Sequence, residues 1–527
     1  MTRASMMREE LALLLRLGLP NTLTQLLQFM PGIAVLGYMR RPFVKEADAL
    51  AGAGMGIMFC NVVGMSMICG FGGACAPLAA QAFGAGNSRR VGEVVQRNLL
   101  VLLALLVPIS LAFASAGPAL TALGQPAHVA ALVARFAVRR IPALPCITVG
   151  RTLTDLLVAV NAPWLTTGVS LAAASMAIFN CWLFIDRLGL GFDGAPLALT
   201  VADASWALLL ALLAPRAVPD GCWPRWAWRT AAAGWVEIVS IALPAAAMMW
   251  CEWWGWEVMV LFAGLTCPGR QDGADSELPC PALDAFPILS NTMVYAFMVH
   301  YGFSIAAGAR IGNLLGEGAH ERAQTVAYTA LGIVVAISVP LCIGIVAFRG
   351  SLVAFYTDDP AVAQVAAKTM PLVAAYVMLD SVGPGLLNKV FGGLAYVRAP
   401  AINNVCAVYL VGIPLGLYLA FPGGRGVTGL WVGLVTGLFT MVVGLCVILL
   451  TVDWKQAAED AVHRSHDDAG TAGKKPTATF SHIPLLDADE AADTESVGAG
   501  PDDIALVVLP HHDAPGLRDR PARGAAV

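Results

Sequence analysis

GAGNSRRV (84–91) and GEGAHERA (316–323) are two versions of one polar loop, separated by 232 residues (316 minus 84) in a chain of 527. Two further pairs of segments keep the same order along the chain and nearly the same spacing. These are QPAHVAALVARF (125–136) with DPAVAQVAAKTM (359–370), and GLPNTLTQLLQF (18–29) with ALPAAAMMWCEW (242–253). Shared apolar composition alone would not align polar loops. The sequence therefore predicts an internal repeat with halves of about 225 residues.

The composition places these halves in a membrane. Hydrophobic residues make up 57% of the chain and charged residues only 13%, whereas a soluble domain carries about 25% charged residues. A helix that crosses a bilayer needs about 20 mostly apolar residues. Twelve such runs are predicted, at about 14–39, 50–82, 98–123, 130–160, 164–186, 194–214, 234–266, 283–309, 324–357, 362–396, 401–421 and 427–452. We therefore expect an all-α polytopic membrane protein with twelve transmembrane helices in two six-helix lobes.

The even number of spans in each half determines how the two lobes are related. Both copies then enter the membrane from the same side, so the repeat is parallel and its axis runs along the membrane normal. Transporters built this way place their binding site between the halves, near the midplane of the bilayer.

Charge and composition divide the chain into five predicted parts and orient it. Lysine and arginine are more frequent in the loops on the side of the N-terminus, which predicts that both termini are cytoplasmic. Beyond the last apolar run the sequence becomes polar, acidic and rich in Gly and Pro, which is typical of disorder. The parts are a cytoplasmic N-terminus (1–13), an N-lobe (14–215), a cytoplasmic linker (216–233), a C-lobe (234–453) and a disordered acidic cytoplasmic tail (454–527). Plasma membrane and vacuolar-type membrane both remain open.

Two of the twelve cysteines flank a polar loop, and the others lie mainly in apolar stretches. Cys267 and Cys280 enclose this loop, which the predicted topology places outside the cytoplasm, where conditions are oxidising. They could form a disulfide; the alternative is two unpaired cysteines at helix ends.

Acidic residues inside predicted spans are the main candidates for function, because an ionisable side chain at membrane depth is costly. The candidates are Asp155, Asp203, Glu237, Glu252, Glu257 and Asp380. Asp155 follows Arg151 by four residues, a spacing that predicts an ion pair on one helix. Glu237 is interpreted as a surface or capping residue, and Asp203 has no evident partner in the sequence.

Glu252 and Glu257 lie in CEWWGWE (251–257), near the middle of the seventh span. Five residues apart, they point about 140° away from each other around a helix, so only one can face a central cavity squarely. Trp253 and Trp256 beside them could contact a cationic solute through their rings, or pack against other helices. In the repeat, Glu252 corresponds to the neutral Gln28, which predicts that proton coupling is concentrated in the C-lobe.

Asp380 lies in the tenth span, just before a Gly-Pro-Gly sequence that loosens the helix (383–385). Lys389 lies about 13 Å further along the axis and is expected to extend to the cytoplasm. Four polar residues within spans could line the cavity or form hydrogen bonds between helices. They are Asn61, Asn291, Asn403 and Tyr409.

The sequence argues against an enzyme. It contains no phosphate-binding loop, catalytic triad signature or clustered set of metal ligands, and we expect neither a metal nor a cofactor. In the apolar body the histidines are His128, His300 and His320, which belong to no catalytic motif.

Several motifs, in order, resemble the eukaryotic, plant-like branch of the multidrug and toxic compound extrusion (MATE) family. They are AQAFGAGN (80–87), CEWWGWEVMVLFAGL (251–265), ARIGNLLGEGAHERA (309–323) and YLVGIPLGLYLAF (409–421). The resemblance covers roughly residues 10–460. It implies an antiporter of two six-helix lobes that exports an organic solute in exchange for protons, with Glu252, Glu257 and Asp380 at the positions of the family's acidic residues.

The function expected from this resemblance is proton-coupled export of organic cations, xenobiotics or secondary metabolites by a monomer, with H⁺ favoured over Na⁺. A substrate cavity between the lobes would be lined by Gln28, Asn61, Trp253, Trp256, Asn291, Asn403 and Tyr409. A lipid or precursor flippase of the same superfamily is the alternative, and a membrane-embedded enzyme is a remote one.

Overall fold

The computed structural model describes residues 3–39, 49–224, 231, 235–266 and 281–466. Its architecture is set by twelve long helices, numbered here in chain order. They are α1 (Arg3–Met39), α2 (Ala49–Gly84), α3 (Ser88–Ala114), α4 (Ala127–Arg140 and Ala143–Ala159), α5 (Pro163–Arg187), α6 (Gly191–Ala217), α7 (Trp235–Leu265), α8 (Pro281–Gly316), α9 (His320–Ala347), α10 (Pro360–Gly393), α11 (Arg398–Ala420) and α12 (Gly426–Thr451). Two short helices, Ala116–Ala122 and Arg349–Tyr356, follow α3 and α9.

The described helices confirm the predicted all-α fold class. Nine of them are long and apolar enough to cross a membrane, and the two segments of α4, bent by 58°, together make a tenth. The remaining two, α1 and α8, contain 37 and 36 residues, more than the hydrocarbon core of a bilayer requires. The described residues contain no strand. The chain is an integral multi-pass membrane protein.

Each half builds its own apolar core. In the first half, Leu156 and Leu210 belong to one cluster and Phe136 and Phe192 to another. In the second half, the largest cluster includes Trp431, and a small one is formed by Met248, Val397 and Ala401. The two cores correspond to the two predicted lobes, called here the N-half and the C-half.

The first helix of each half crosses to the opposite core. Leu14 and Leu17 of α1 pack in the C-half cluster, whereas Ile238 and Ala242 of α7 pack in an N-half cluster. Since α1 and α7 are equivalent in the repeat, this exchange is reciprocal. A parallel repeat related by a two-fold axis produces this arrangement.

The two halves meet closely at the end of the bundle where α1 begins and α12 ends, called here the terminal face. Gly84 of α2 lies against the backbone of Asn313 in α8, and Gly316 of α8 lies against the backbone of Gln81 in α2. The Gln81 amide Nε2 also donates a hydrogen bond of 2.8 Å to the carbonyl oxygen of Gly393. Small residues let the two helices approach to backbone contact, so this face is closed.

An ion cluster strengthens the closure beside α1. The buried Glu10 accepts two hydrogen bonds of 2.9 Å from Arg310 and two, of 2.6 and 3.2 Å, from Arg322. Fork-like pairing of a guanidinium with both carboxylate oxygens is the strongest geometry for such contacts. The ion cluster connects the start of α1 to α8 and α9.

The structure corrects one predicted boundary, because the chain is helical beyond residue 454. Trp454–His466 forms a helix, α13, instead of the beginning of a disordered tail. Asp453 starts it by accepting hydrogen bonds from the backbone N–H groups of Lys455 and Gln456. Its apolar side, which includes Trp454, is buried. The prediction used the average composition of the whole tail, which is polar. This average hides a short amphipathic segment at its start.

Candidate functional site

Two carboxyl groups, predicted separately from the sequence, meet inside the C-half. Glu252 of α7 and Asp380 of α10 lie close enough for a hydrogen bond between their side chains. Asp380 is only 2% exposed. The structure thus brings together two of the acids that the sequence singled out, from helices more than a hundred residues apart in the chain.

The local sequence of α10 explains how Asp380 is presented. The α-helix ends at Asp380 and a π-helical turn follows over Ser381–Leu387. Pro384 has no backbone N–H to donate, so the regular hydrogen-bond ladder cannot continue through it. π-turns insert a residue and reorient the helix faces on either side, often at functional sites.

The contact between the two carboxyl groups has a direct chemical consequence. An ionised carboxylate can only accept hydrogen bonds, so a hydrogen bond between Glu252 and Asp380 requires a proton on one of them. If that proton left, two negative charges would stand side by side. A returning proton or a cationic ligand would compensate the two negative charges. The pair is therefore suited to exchange a proton for a cationic ligand.

A small cavity lies next to the pair, within the C-half. Its lining includes Glu252, Trp256, Tyr376 and Met441, contributed by α7, α10 and α12, and it has room for about one water molecule. Glu252 lines this cavity, so a water molecule there would meet its carboxyl group. The cavity is too small to hold an organic solute.

The tryptophans of CEWWGWE have different surroundings. The Trp256 ring packs against Trp431 at 5.3 Å and Phe286 at 5.4 Å between ring centroids, deep in the C-half core. Trp254 is 40% exposed and stacks on Trp250 at 5.9 Å. Trp253 is half-buried. Trp256 therefore combines a packing role with a place beside Glu252.

Glu257 does not join the carboxyl pair. It is half-buried, and among the residues that the structure describes it forms no hydrogen bond or ion pair with a side chain. The predicted divergence of Glu252 and Glu257 around α7 agrees with this separation.

The other predicted cavity residues lie in varied settings. Gln28 is half-buried in α1, and its Nε2 has no hydrogen-bond partner among the described residues. Asn61 and Asn291 are exposed. Asn403 donates a hydrogen bond of 3.0 Å to the carbonyl oxygen of Met441, a contact that joins α11 to α12. Tyr409 is half-buried and packs against the C-half core. Cys267 and Cys280 lie outside the described residues.

The three other candidate acids, Asp155, Asp203 and Glu237, each form an ion pair with arginine. Arg151 and Asp155 form the ion pair predicted from their spacing, at 3.6 Å. Asp203, for which the sequence offered no partner, lies 2.7 Å from Arg140 of α4. This pairing could not be predicted because the two residues are distant in the chain.

Glu237 forms ion pairs in addition to the surface or capping role that the sequence predicted. It pairs with Arg90 and Arg97 of α3, at 2.5 and 3.5 Å, and so connects the start of α7 to the N-half at the terminal face.

The prediction for Lys389 is wrong. Its side chain does not extend along α10 to the terminal face; the ammonium lies over the ring of Tyr301 in α8, 5.2 Å from the ring centroid. Sequence reasoning lacked the position of α8, and an aromatic partner on another helix leaves no periodic signal.

Comparisons with known proteins give matches over most of the chain. The protein-family model described as MatE matches residues 20–183 and 244–418. The chain is 30% identical over 469 residues to Protein DETOXIFICATION 17 of Arabidopsis thaliana, covering 88% of this chain and 94% of that one. It is 29% identical over 462 residues to human Multidrug and toxin extrusion protein 1, covering 87% of this chain and 78% of the human protein.

Among solved structures, the fold is similar to that of the eukaryotic MATE transporter AtDTX14. The TM-score is 0.80, with 23% sequence identity, over 87% of this chain and all of that one.

Proposed function

This chain belongs to the MatE family, and we propose that it is a proton-coupled antiporter that exports organic solutes by alternating access between its two halves. It is a membrane transporter and not an enzyme. The observation that carries the proposal is the contact between Glu252 and Asp380, two carboxyl groups that need a proton when no cation is near.

The proposed cycle uses the two charge states of this pair. With the proton lost, the negative pair attracts a cationic solute into the space between the halves. With protons bound, the pair is neutral and the solute is released. A ligand can shift a conformational equilibrium only by its difference in affinity for the two states, so proton and solute must compete for these carboxyl groups.

The closed terminal face supports assigning one state of the cycle. If the termini are cytoplasmic, as the basic residues indicate, the contacts at Gly84, Gly316 and Glu10 close the cytoplasmic side. We infer that the structure corresponds to the outward-facing state, in which protons enter from outside the cytoplasm, or from a lumen, and the solute leaves.

The organic nature of the solute is supported by relatives named for multidrug and toxin extrusion and for detoxification. The aromatic surface of α7, where Trp250 and Trp254 stack, suits flat or cationic organic molecules. We propose that the transporter acts in the plasma membrane or a vacuolar-type membrane.

Transport into sealed vesicles tests the proposal. The purified protein would be reconstituted and supplied with tetraethylammonium under an imposed pH gradient, an imposed Na⁺ gradient, or neither. Uptake should require the pH gradient, and Glu252→Gln should abolish it while the variant still folds. Glu321→Gln is the control, since Glu321 is an exposed glutamate at the start of α9, outside the candidate site, and it should leave uptake unchanged. Undiminished pH-driven uptake by Glu252→Gln, or uptake driven by Na⁺ alone, would contradict the assignment.

A further inference from the structure

A second cavity lies at the terminal face, outside the candidate site. It opens between the turn that joins α8 to α9 and the helix α13, and its volume is about 610 Å³, within the range of about 300–1,000 Å³ that small-molecule sites occupy. It shares no lining residue with the cavity beside Glu252. Five of its lining residues carry titratable side chains: His320, Lys455, Glu459, His463 and His466.

The titratable residues of α13 share one side of that helix. Lys455, Glu459 and His463 follow one another at intervals of four residues, and His466 comes three residues later, so all four lie within about 80° around the helix. His320, the first residue of α9, belongs to the wall that the other element contributes. Three imidazoles from two different elements therefore line one space, and because His463 and His466 are exposed, this space is open to solvent.

The charge of this lining depends on its histidines. The ammonium of Lys455 and the carboxylate of Glu459 cancel, so the lining is close to neutral while the imidazoles are neutral. A histidine side chain ordinarily gains its proton near about pH 6.5. Full protonation of the three imidazoles would give the lining three positive charges.

The other charged groups of these elements are paired elsewhere or lie outside the lining. On α8 and α9, Glu317 pairs with Arg310 at 3.9 Å and Arg322 pairs with Glu10 at 2.6 Å. The histidines therefore set the charge of the cavity as the pH changes. The charged residues outside the lining are Glu321, Asp460 and Arg464.

We propose that this cavity binds a phosphate group, from a soluble phosphate compound or from a lipid headgroup, between His320 of α9 and the two histidines of α13. A phosphate group carries about two negative charges near neutral pH and has several acceptor oxygens. It can therefore contact both walls at once and compensate the charge of the imidazolium groups. Ala458 and Val462 add apolar surface to the lining, against which the organic part of such a ligand can pack.

A phosphate group in this cavity joins α13 to α9. Without it, protonated imidazoles on the two elements repel each other; with it, they are drawn to a common anion. Because α13 also binds Gln81 at the crossing of α2 and α8, the ligand stabilises the closed terminal face and slows its opening. Binding can be measured without transport, so the inference stands apart from the proposed antiport.

Two probes test the inference on the full-length protein and separate the two sources of phosphate. Inorganic pyrophosphate is the soluble probe, titrated calorimetrically into the purified protein. Phosphatidylinositol phosphate in phosphatidylcholine nanodiscs is the lipid probe, compared with phosphatidylcholine alone. Either probe should slow the hydrogen exchange of the backbone amides in 454–466, since binding suppresses local opening. A response to one probe or to both supports the inference and assigns the source, and a response to neither overturns it.

Removal of the imidazoles should weaken binding in a pH-dependent way. The triple variant His320→Gln, His463→Gln and His466→Gln should bind the responding probe about tenfold more weakly than the wild-type protein at about pH 6, the size of one hydrogen bond to a charged group. The difference should shrink toward pH 8, where histidine is ordinarily neutral. Comparing the two proteins at each pH removes the titration of the probe itself. His128→Gln is the control, because His128 is an exposed histidine outside this cavity.

A second variant should gain affinity, which misfolding cannot imitate. Glu459→Gln removes the negative charge of the lining and should tighten binding of the same probe about threefold, the size of one exposed charge contact. Asp460→Asn is the matched control, since Asp460 is an exposed neighbour on the same helix outside the lining.

Three results of these substitutions would overturn the inference. The first is equal affinity of the wild-type protein and the triple variant at about pH 6. The second is a loss in His128→Gln as large as that in the triple variant, which would show binding to surface histidines in general. The third is an equal gain in Glu459→Gln and Asp460→Asn, which would show attraction to the surface of α13 and not to the cavity.

Discussion

Gly84 and Gly316, equivalent residues of the repeat, each lie against the backbone of the helix that carries the other. A Cβ on Gly84 would overlap the carbonyl oxygen of Asn313, and a Cβ on Gly316 would overlap that of Gln81. The two polar loops that reveal the repeat in the sequence therefore begin at the crossing of α2 and α8. Closure of the terminal face depends on both glycines.

Gly84→Ala should keep the terminal face from closing fully. The added methyl group meets backbone, which cannot move aside as a side chain can, and overpacking of this kind costs about 1–3 kcal/mol. We expect a lower unfolding temperature and slower transport. Gly332→Ala is the control, because a Cβ there meets nothing and alanine favours a helix by up to about 1 kcal/mol. Equal behaviour of the two variants would contradict the role of the crossing.

Glu10→Gln should destabilise the protein more than Glu9→Gln. Glu10 is 1% exposed and binds two arginines, whereas Glu9 is 40% exposed and lies 3.9 Å from Arg322. Removing one partner of a buried ion pair leaves its charges uncompensated and costs about 3 kcal/mol, whereas an exposed pair contributes at most about 1 kcal/mol. Thermal unfolding of the two purified variants at neutral pH would measure the difference. Similar losses would show that the cluster is not important for stability.

The Glu10 cluster should also give stability a defined pH dependence. Burial favours the protonated form of Glu10, but Arg310 and Arg322 outweigh it and hold the pKa below its ordinary value of 4.5. A lowered pKa stabilises the folded protein above the unfolded pKa, and this stabilisation is lost as the pH falls through the folded value. The difference in unfolding temperature between the wild-type protein and Glu10→Gln should thus be constant near neutral pH and shrink below about pH 4.5. A difference that persists at low pH would contradict the assignment.

How far the sequence predicts this site depends on the range of each interaction. The twelve spans follow from apolar runs, and the pair of Arg151 with Asp155 follows from helical spacing, because both signals are local. Glu252 and Asp380 are recognisable one by one from their cost in a membrane, but their contact depends on how α7 packs against α10. The pairing of Asp203 with Arg140 and the position of Lys389 over Tyr301 are non-local as well. No period or motif in the sequence encodes them.

Removal of either carboxyl of the pair should eliminate coupling, and removal of both should add little. Glu252 and Asp380 lie within hydrogen-bonding range of each other, and groups that act as a unit give strongly non-additive effects. We expect Glu252→Gln, Asp380→Asn and the double variant to show similar residual uptake under a pH gradient. Multiplied losses in the double variant would mean that the two carboxyl groups act independently.

Asp203→Asn should affect stability and leave coupling intact. Asp203 lies 2.7 Å from Arg140, whose side chain is 11% exposed, so the amide would leave a largely buried guanidinium without its counter-charge. The unfolding temperature should fall, while the pH dependence of uptake keeps its wild-type form. A changed pH dependence would instead place Asp203 in the proton path.

The last prediction concerns α13, which follows the C-half but also binds the N-half. Arg464 donates a hydrogen bond of 3.2 Å to the side-chain oxygen of Gln81, and Asn87 donates one of 2.7 Å to the carbonyl oxygen of Ser465. Gln81 lies at the crossing of α2 and α8 and also binds Gly393 of α10. Through Gln81, α13 is therefore connected to this crossing. Opening the terminal face must break these contacts, so they favour the closed state.

Arg464→Ala should therefore loosen closure without unfolding either half. Hydrogen exchange of the backbone amides in 84–90 and 454–466 should become faster, since local opening exposes them, while exchange within α12 stays as in the wild-type protein. Lys455→Ala, an exposed substitution on the same helix, should leave all three regions unchanged. Unaltered exchange at 84–90 in Arg464→Ala would show that α13 rests on the terminal face without holding it closed.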